Sequence, residues 1–425
     1  MTNEKMNQIR KNNMKLYPTY SMFGIDLIFF YAIKVLFLTN VRGINPSDIV
    51  FSTGCYAFFR IVLQVPFNMI IEKLGNRMSM VLGNLFNTLY IILILCAQNL
   101  AWLIIAEFVS CLAFGLKSVA ETALLDESVP ESSQKGNIFS KITGRGMARY
   151  YFFDSIATIL AGFLFEVNPY IPFVLAIVVT LIAVFLSLAF IDIPKTTKKE
   201  EKKHSEFYDI KIGFKFIFQS GRLKGLLLFS GMLWGLICLY DTYQVNLLDN
   251  LQVSASTIGI LFAFLKIVAG VAATKEKEFH NRFRKKSLTV LGMSFCISLI
   301  VAGVFALLPF SYVVIMGGIA VCYFVFYVDK GLYQVLLKRY LSNFTSPEIL
   351  PKIFSANEIS MNALKAVISF LGSAILGILT ASWSMVVVGI IATIFMILLL
   401  SYMKTRVGLK PEEYSKKEID YRVVR

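Results

Sequence analysis

The stretch IPFVLAIVVTLIAVFLSLAFI, residues 171–191, is followed directly by DIPKTTKKEEKK, residues 192–203. The first part contains no charged residue and has about the length, ~20 residues, that an α-helix needs to cross a hydrocarbon core ~30 Å thick. The second part is polar and strongly basic. An uncharged run of this length beside a basic segment is typical of a transmembrane helix that ends at a membrane surface.

Comparable apolar stretches recur along most of the chain. Of the 425 residues, 56% are hydrophobic and 16% are charged, whereas about 25% are charged in an ordinary soluble domain. We therefore predict an all-α integral membrane protein with twelve transmembrane helices, located in a bacterial cytoplasmic membrane. The predicted spans are 17–39, 48–71, 79–98, 101–125, 147–166, 171–191, 223–246, 255–274, 287–307, 311–335, 354–379 and 383–403.

The longest polar break divides six spans from six. It predicts an N-terminal six-helix half at 1–191, a cytoplasmic linker at 192–222, and a second half with a cytoplasmic tail at 223–425. Within the linker, apolar residues recur at helical spacing from Phe207 to Ile217, which indicates either a helix on the membrane surface or a plain linker. Loops after the second and fourth spans have counterparts after the eighth and tenth. Two pseudo-symmetric halves around a central substrate site are a recurring transporter plan.

The basic residues fall mainly in alternate segments between the spans, with Arg42 as the main exception. This distribution predicts that both termini face the cytoplasm. It also accounts for the net charge of +15 without a nucleic-acid partner. The polar start runs into an apolar segment that contains Asp26 and lacks a small-residue cleavage site, so we expect a retained first helix. The six cysteines lie in apolar stretches without metal-ligand spacing, and we expect no metal and no cofactor.

Charged residues within the spans are the candidate functional residues, because an ionisable group at membrane depth costs at least a few kcal/mol. None falls in spans three, six, nine or twelve, so these are expected to face lipid while the others surround a polar cavity. Pairing of the charges for structural reasons is the open alternative. The predicted substrate- or proton-binding residues are Asp26, Arg60, Lys117, Asp154, Trp234, Lys266 and Lys365. The predicted gating residues are Glu72, Lys73, Arg77, Glu121, Asp329, Lys330 and Glu358.

Proton coupling needs a group that changes charge at accessible pH. Both histidines, His204 and His280, lie in predicted loops, so a proton relay would have to use carboxylates. A carboxylate such as Asp26 or Asp154 that is alternately buried and placed beside a cation would bind and release a proton.

Two short segments carry a family resemblance. Residues 64–77, QVPFNMIIEKLGNR, resemble the G-x-L-A-D-R-x-G-R-K loop after the second span of the major facilitator superfamily, with Pro66, Gly75 and basic positions kept and Glu72 for the acid. Residues 120–128, AETALLDES, resemble the G-A-D-x-A-L-L-Y-D-S run of a bacterial branch of drug-efflux permeases. The resemblance implies a secondary active transporter, working by alternating access as a monomer, in which Glu72 takes part in a latch between the halves.

Three functional classes remain open. The first is proton-coupled export of amphipathic compounds, with a loose aromatic lining from Tyr20, Phe23, Trp234, Tyr240 and Tyr243. The second is an uptake carrier or lipid flippase, in which mid-depth lysines bind a carboxylate or an anionic headgroup. The third is a membrane scaffold or channel without transport activity. The chain has no H-E-x-x-H, G-x-S-x-G or Walker motif, and we predict that it is not an enzyme.

Overall fold

The computed structural model describes residues 3–130, 135–193, 206–283, 286–343 and 350–404. Within these ranges the regular secondary structure is helical, with a five-residue π-helix at Phe37–Val41. The α-helices are α1 Asn3–Gly24, α2 Tyr31–Leu36, α3 Pro46–Leu74, α4 Asn76–Cys96, α5 Leu100–Ser128, α6 Lys135–Val167, α7 Ile171–Leu188, α8 Glu206–Gln219, α9 Gly221–Asn250, α10 Ala255–Thr274, α11 Glu276–Phe283, α12 Ser287–Leu307, α13 Tyr312–Asn343, α14 Leu350–Ile378 and α15 Ala381–Lys404.

Eleven of the described helices are long and apolar enough to cross a membrane. With the first predicted span, they match the predicted twelve-helix fold class, which is confirmed. The first span itself requires a correction, because it is not one continuous helix over 17–39. α1 begins at Asn3 and ends at Gly24, and α2 starts only at Tyr31. Between them the Asp26 side chain accepts a hydrogen bond from the Leu27 amide at 2.8 Å, and Phe29 has a φ of +65°.

Several helices extend past the predicted apolar spans. α6 begins at Lys135 rather than near 147, and α13 continues to Asn343 rather than ending near 335. The reason is that hydropathy marks only the apolar part of a helix, while the backbone hydrogen bonds continue into polar sequence. As a result, Asp329 and Lys330 lie near the middle of α13 and not close to its end.

The described chain forms two compact units. Unit 1 contains residues 1–44, 59–203 and 254–263, and unit 2 contains 45–58, 204–253 and 264–425. Part of the predicted linker is helical, as α8. Its charged run at 198–203 lies outside the described residues. The half boundaries at 191 and 223, and a membrane-surface position for α8, stay predictions.

Aromatic side chains form much of the interior of each unit. In unit 1, the rings of Phe30 and Phe37 pack against Phe173 with centroid separations of 5.7 and 4.5 Å. In unit 2, Tyr240 stacks on Phe326 at 3.9 Å. Among helices in a membrane, such packing replaces the hydrophobic effect as the main source of association, because lipid is as apolar as the side chains.

The outer faces of α7 and α15 carry exposed apolar side chains. Examples are Val174 and Phe185 on α7 and Phe395 and Leu398 on α15. These helices are the sixth and twelfth spans, which contain no charged residue. Exposed apolar side chains also occur on α3, α6 and α10, such as Phe58, Phe152 and Phe264, so preferential lipid contact of every third span stays a prediction.

Candidate functional site

An ion pair joins α9 to α13 in unit 2. The Lys330 ammonium contacts the two carboxylate oxygens of Asp241 at 2.9 and 2.8 Å. One turn further along α9, Gln244 donates through Nε2 to the Tyr327 hydroxyl at 3.3 Å and lies 3.4 Å from Asp241 Oδ1. The side chains of Asp241 and Lys330 remain 39% and 25% exposed. The ion pair is therefore accessible although both partners lie in the apolar interior of long helices.

A second cation of unit 2 lies close to this ion pair. Lys365, on α14, is only 8% exposed, and its Nζ atom lies 4.9 Å from the centroid of the Tyr56 ring. Lys365, Lys330 and Asp241 all interact electrostatically with the Cys238 thiol of α9. Among the carboxylates that the structure describes, none lies within ion-pair distance of Lys365. The charges of Asp241, Lys330 and Lys365 thus sum to one positive charge.

The other predicted residues of unit 2 are divided between this cluster and its surroundings. Trp234 is half-buried and shares a face of α9 with Cys238 and Asp241, since residues four and seven apart lie on one side of a helix. Lys266 on α10 and Glu358 on α14 are also half-buried. Asp329 is buried and accepts a hydrogen bond at 2.7 Å from Ser294 Oγ, on α12.

Unit 1 contains a buried charge cluster that sequence analysis did not select. Lys34, on α2, donates to the Tyr90 hydroxyl and to Glu107 Oε1, each at 2.7 Å. The Lys34 and Glu107 side chains are 12% and 7% exposed. The predicted site residue Arg60 lies on α3. Arg60 and Glu107 both interact electrostatically with the Cys111 thiol of α5. The sequence does carry a signal for Lys34, because this lysine lies within the predicted first span like the other intramembrane charges.

The interruption of the first span is tied to a buried lysine. Lys117, on α5, is 1% exposed, and its Nζ atom donates to the Ile25 carbonyl at 3.2 Å and lies over the Phe114 ring at 4.7 Å. The carboxylates of Asp26 and Glu121 both interact electrostatically with the Lys117 ammonium. A carbonyl freed by the break in the helix therefore accepts a hydrogen bond from a cation, as non-helical backbone at membrane depth requires.

The remaining predicted residues of unit 1 lie around this break. Asp26 and the buried Asp154 of α6 both interact electrostatically with the Tyr150 side chain. Glu121 interacts electrostatically with the fully buried Tyr20. The Tyr20 hydroxyl accepts a hydrogen bond from Asn84 Nδ2 at 3.2 Å. Three of the predicted residues therefore interact with one another, because Asp26 and Glu121 both interact with Lys117.

The turn between α3 and α4 has a polar partner that the sequence did not identify. Gly75 has a φ of +82°, and the Arg77 amide donates to Asp192 Oδ1 at 2.9 Å. Glu72 and Lys73, which the family resemblance emphasised, are exposed at this turn. Asp192 follows α7 directly, so only the folded chain brings it to the turn. The latch role of Glu72 stays a prediction.

Three comparisons place this architecture among known proteins. A sequence model of the Major Facilitator Superfamily matches residues 16–329. The uncharacterized MFS-type transporter YxaM of Bacillus subtilis (strain 168) is 22% identical over 396 residues, which cover 91% of this chain and 94% of YxaM.

Two solved structures share the fold. The nucleoside transporter NupG has a TM-score of 0.68 at 10% identity, over 95% of this chain and 100% of its own. The peptide transporter POT in complex with sulfate has a TM-score of 0.65 at 15% identity, over 95% of each chain. The match of the family model over most of the sequence, on a fold with these helices, shows that the chain belongs to the Major Facilitator Superfamily and is a multi-pass membrane transporter.

Proposed function

We propose that the chain is a secondary active transporter that moves a small molecule by alternating access, and that Asp241 couples this movement to protons. The observation that supports the proposal is the Asp241–Lys330 ion pair, whose carboxylate is 39% exposed. A charged pair inside apolar helices is costly to maintain. An accessible carboxylate held by one cation has the property that coupling requires, because it is able to exchange its cation for a proton.

Protonation of Asp241 leaves the charge of Lys330 without its partner. The neighbouring Gln244 and Tyr327 are neutral and offer only weak compensation. Two states of low energy follow: the closed ion pair, and protonated Asp241 with Lys330 neutralised by another group, such as an acidic part of the substrate. Alternation between two such states links proton binding to substrate binding, since each ligand favours one state over the other.

Export of amphipathic compounds is one candidate direction, and its support is the resemblance of residues 120–128 to drug-efflux permeases. The expected aromatic lining contributes less than the sequence suggested. Tyr240 and Tyr243 are buried in helix packing, and the Tyr243 hydroxyl donates to the Gly372 carbonyl at 2.6 Å. Tyr20 is likewise fully buried.

Uptake of a carboxylate, or movement of a lipid with an anionic headgroup, is the second candidate. Lys365 favours it, because a buried cation with no described carboxylate within ion-pair distance is suited to an anion. For either direction we retain a monomer in the bacterial cytoplasmic membrane with both termini in the cytoplasm, which rests on the basic residues between the spans. Gating by the predicted set also remains part of the proposal: Glu72, Lys73, Arg77, Glu121, Asp329, Lys330 and Glu358.

Proton coupling is tested with the purified chain in liposomes that enclose a pH-sensitive dye. A panel of organic anions, organic cations and neutral amphiphiles is added outside, and the change of internal pH is followed for wild type and Asp241→Asn. We expect any compound that drives proton movement in wild type to lose this effect in the variant, while exchange of labelled for unlabelled compound continues. Glu278→Gln, an exposed carboxylate paired with Lys275, is the matched control. Equal proton movement in Asp241→Asn and wild type would refute the role of Asp241.

A further inference from the structure

Lys365 differs from Lys34 and Lys330 in how its charge is compensated. Lys34 has Glu107 at 2.7 Å and Lys330 has Asp241 at 2.8 Å. Lys365 is more than nine-tenths buried, and its nearest described partners are the Tyr56 ring and the Cys238 thiol. An aromatic face compensates a buried ammonium only in part, so the positive charge of Lys365 is not fully neutralised.

We propose that Lys365 binds the anionic group of the transported molecule and that the substrate class is an organic monoanion with an apolar body. This inference rests on the transport function proposed above and deepens it. The surroundings fit such a ligand. The Tyr56 ring provides aromatic surface 4.9 Å from the Lys365 Nζ atom, and Trp234 lies on the face of α9 that carries Cys238 and Asp241.

The neighbouring ion pair makes anion binding depend on the proton. With Asp241 ionised, the local charges of Asp241, Lys330 and Lys365 sum to one positive charge. With Asp241 protonated, they sum to two, because Tyr327, Gln244 and Cys238, which also face the carboxylate, are uncharged in either state. The anion is therefore bound more tightly when the proton is bound. Ligands that strengthen each other's binding travel together, which favours proton–anion cotransport over exchange.

Equilibrium binding tests the role of Lys365 without requiring transport. The full-length chain in detergent is heated with probes that share an apolar body and differ in charge: 4-phenylbutyrate, 4-phenylbutylammonium and 4-phenylbutanol. Affinity is obtained from the concentration dependence of the unfolding midpoint. We expect 4-phenylbutyrate to stabilise wild type more than the other two probes. In Lys365→Met its affinity falls about ten- to a hundredfold, the loss typical of a hydrogen bond to a charged group, and Lys365→Arg recovers part of it.

The control is Lys275→Met, which removes an exposed lysine of unit 2 and is expected to keep the wild-type affinity. Asp241→Asn mimics the protonated carboxylate and is expected to bind 4-phenylbutyrate more tightly than wild type. This variant keeps Lys365 and provides a second test if Lys365→Met does not fold. Equal affinity of Lys365→Met and wild type, no preference of wild type for the anion, or unchanged affinity in Asp241→Asn would each overturn the inference.

A parallel titration with dioleoylphosphatidylglycerol identifies the source of the anion. Stabilisation by this lipid that disappears in Lys365→Met would support the lysine as an anion site and assign the anion to a lipid headgroup. The two proposals fail separately. Proton movement that persists in Asp241→Asn refutes proton coupling through Asp241, whereas anion affinity that persists in Lys365→Met refutes only the substrate class.

Discussion

Removal of Glu107 is expected to destabilise the protein strongly, because it leaves the Lys34 charge buried. The two side chains are 12% and 7% exposed and their charged atoms are 2.7 Å apart. Breaking a buried ion pair from one side typically costs about 3–5 kcal/mol, and Glu107→Gln is expected near ~3 kcal/mol, since the amide still accepts a hydrogen bond. The Tyr90 hydroxyl, also 2.7 Å from Lys34, provides only a neutral partner.

The double variant Lys34→Met with Glu107→Leu separates the cost of an orphaned charge from the contribution of the ion pair. It removes both charges together with the hydrogen bonds that each makes with the Tyr90 hydroxyl, so we expect it to lie within about 1–2 kcal/mol of wild type. The single variants Lys34→Met and Glu107→Leu are each expected to cost about 3–5 kcal/mol, because each leaves the other charge buried. The double variant is then at least about 4 kcal/mol more stable than the sum of these two costs predicts, far from additivity.

The measurement is equilibrium unfolding in mixed micelles with a rising fraction of sodium dodecyl sulfate, followed by circular dichroism. Glu278→Gln provides the comparison, because its ion pair with Lys275 is 71% and 60% exposed and exposed pairs contribute about 0–1 kcal/mol. A cost for Glu107→Gln no larger than that for Glu278→Gln would refute the reasoning. So would a double variant whose destabilisation equals the sum of the single ones.

Two further predictions concern unit 1. If Asp26 and Asp154 exchange protons, replacing either by Asn abolishes gradient-driven transport in liposomes and preserves exchange; driven transport at the wild-type rate in both variants would show that they do not. Gly75→Ala is expected to cost about 1–3 kcal/mol in the same unfolding assay, because backbone at φ +82° and ψ 163° is nearly restricted to glycine, and its new Cβ would lie 2.7 Å from Asp192 Oδ2. Gly43→Ala, at φ +65° with open space around it, is the control and should cost less.

The transmembrane plan was predictable because it depends on the length and polarity of segments. An apolar run long enough to cross a membrane has few alternatives to a helix, since each backbone amide and carbonyl must be paired within the segment. The break at 25–30 was not predicted. It depends on local bonds, such as Asp26 accepting from the Leu27 amide, that an average over the whole span does not detect.

The candidate site was predictable as a set of charges, and its pairings were not. The sequence selected Lys330 and Lys365, and the cost of burying charge explains why such residues stand out. The partner of Lys330 is Asp241, which lies 89 residues away in the chain and was not among the predicted site residues. Lys34 and Glu107 are likewise 73 residues apart. Separation in sequence carries no information about which helices meet.

The two units contain related arrangements in different states. Lys117 lies on the fourth span of the first half, as Lys330 lies on the fourth span of the second, and each has an aspartate on the first span of its half. In unit 2, α9 is continuous and the pair is closed, with Lys330 at 2.8 Å from Asp241. In unit 1 the helix is interrupted, Lys117 donates to the Ile25 carbonyl, and Asp26 accepts from a backbone amide.

The two lysines thus differ in the acceptor that each contacts directly, a carboxylate for Lys330 and a backbone carbonyl for Lys117. The carbonyl at the helix break provides such a neutral acceptor, because it has lost its place in the helical hydrogen-bond ladder. The interruption of the first span therefore provides an acceptor for the buried Lys117, a condition that the continuous α9 does not provide for Lys330. This difference explains why Lys330 pairs directly with Asp241 at 2.8 Å, the ion pair on which the proposed proton coupling rests.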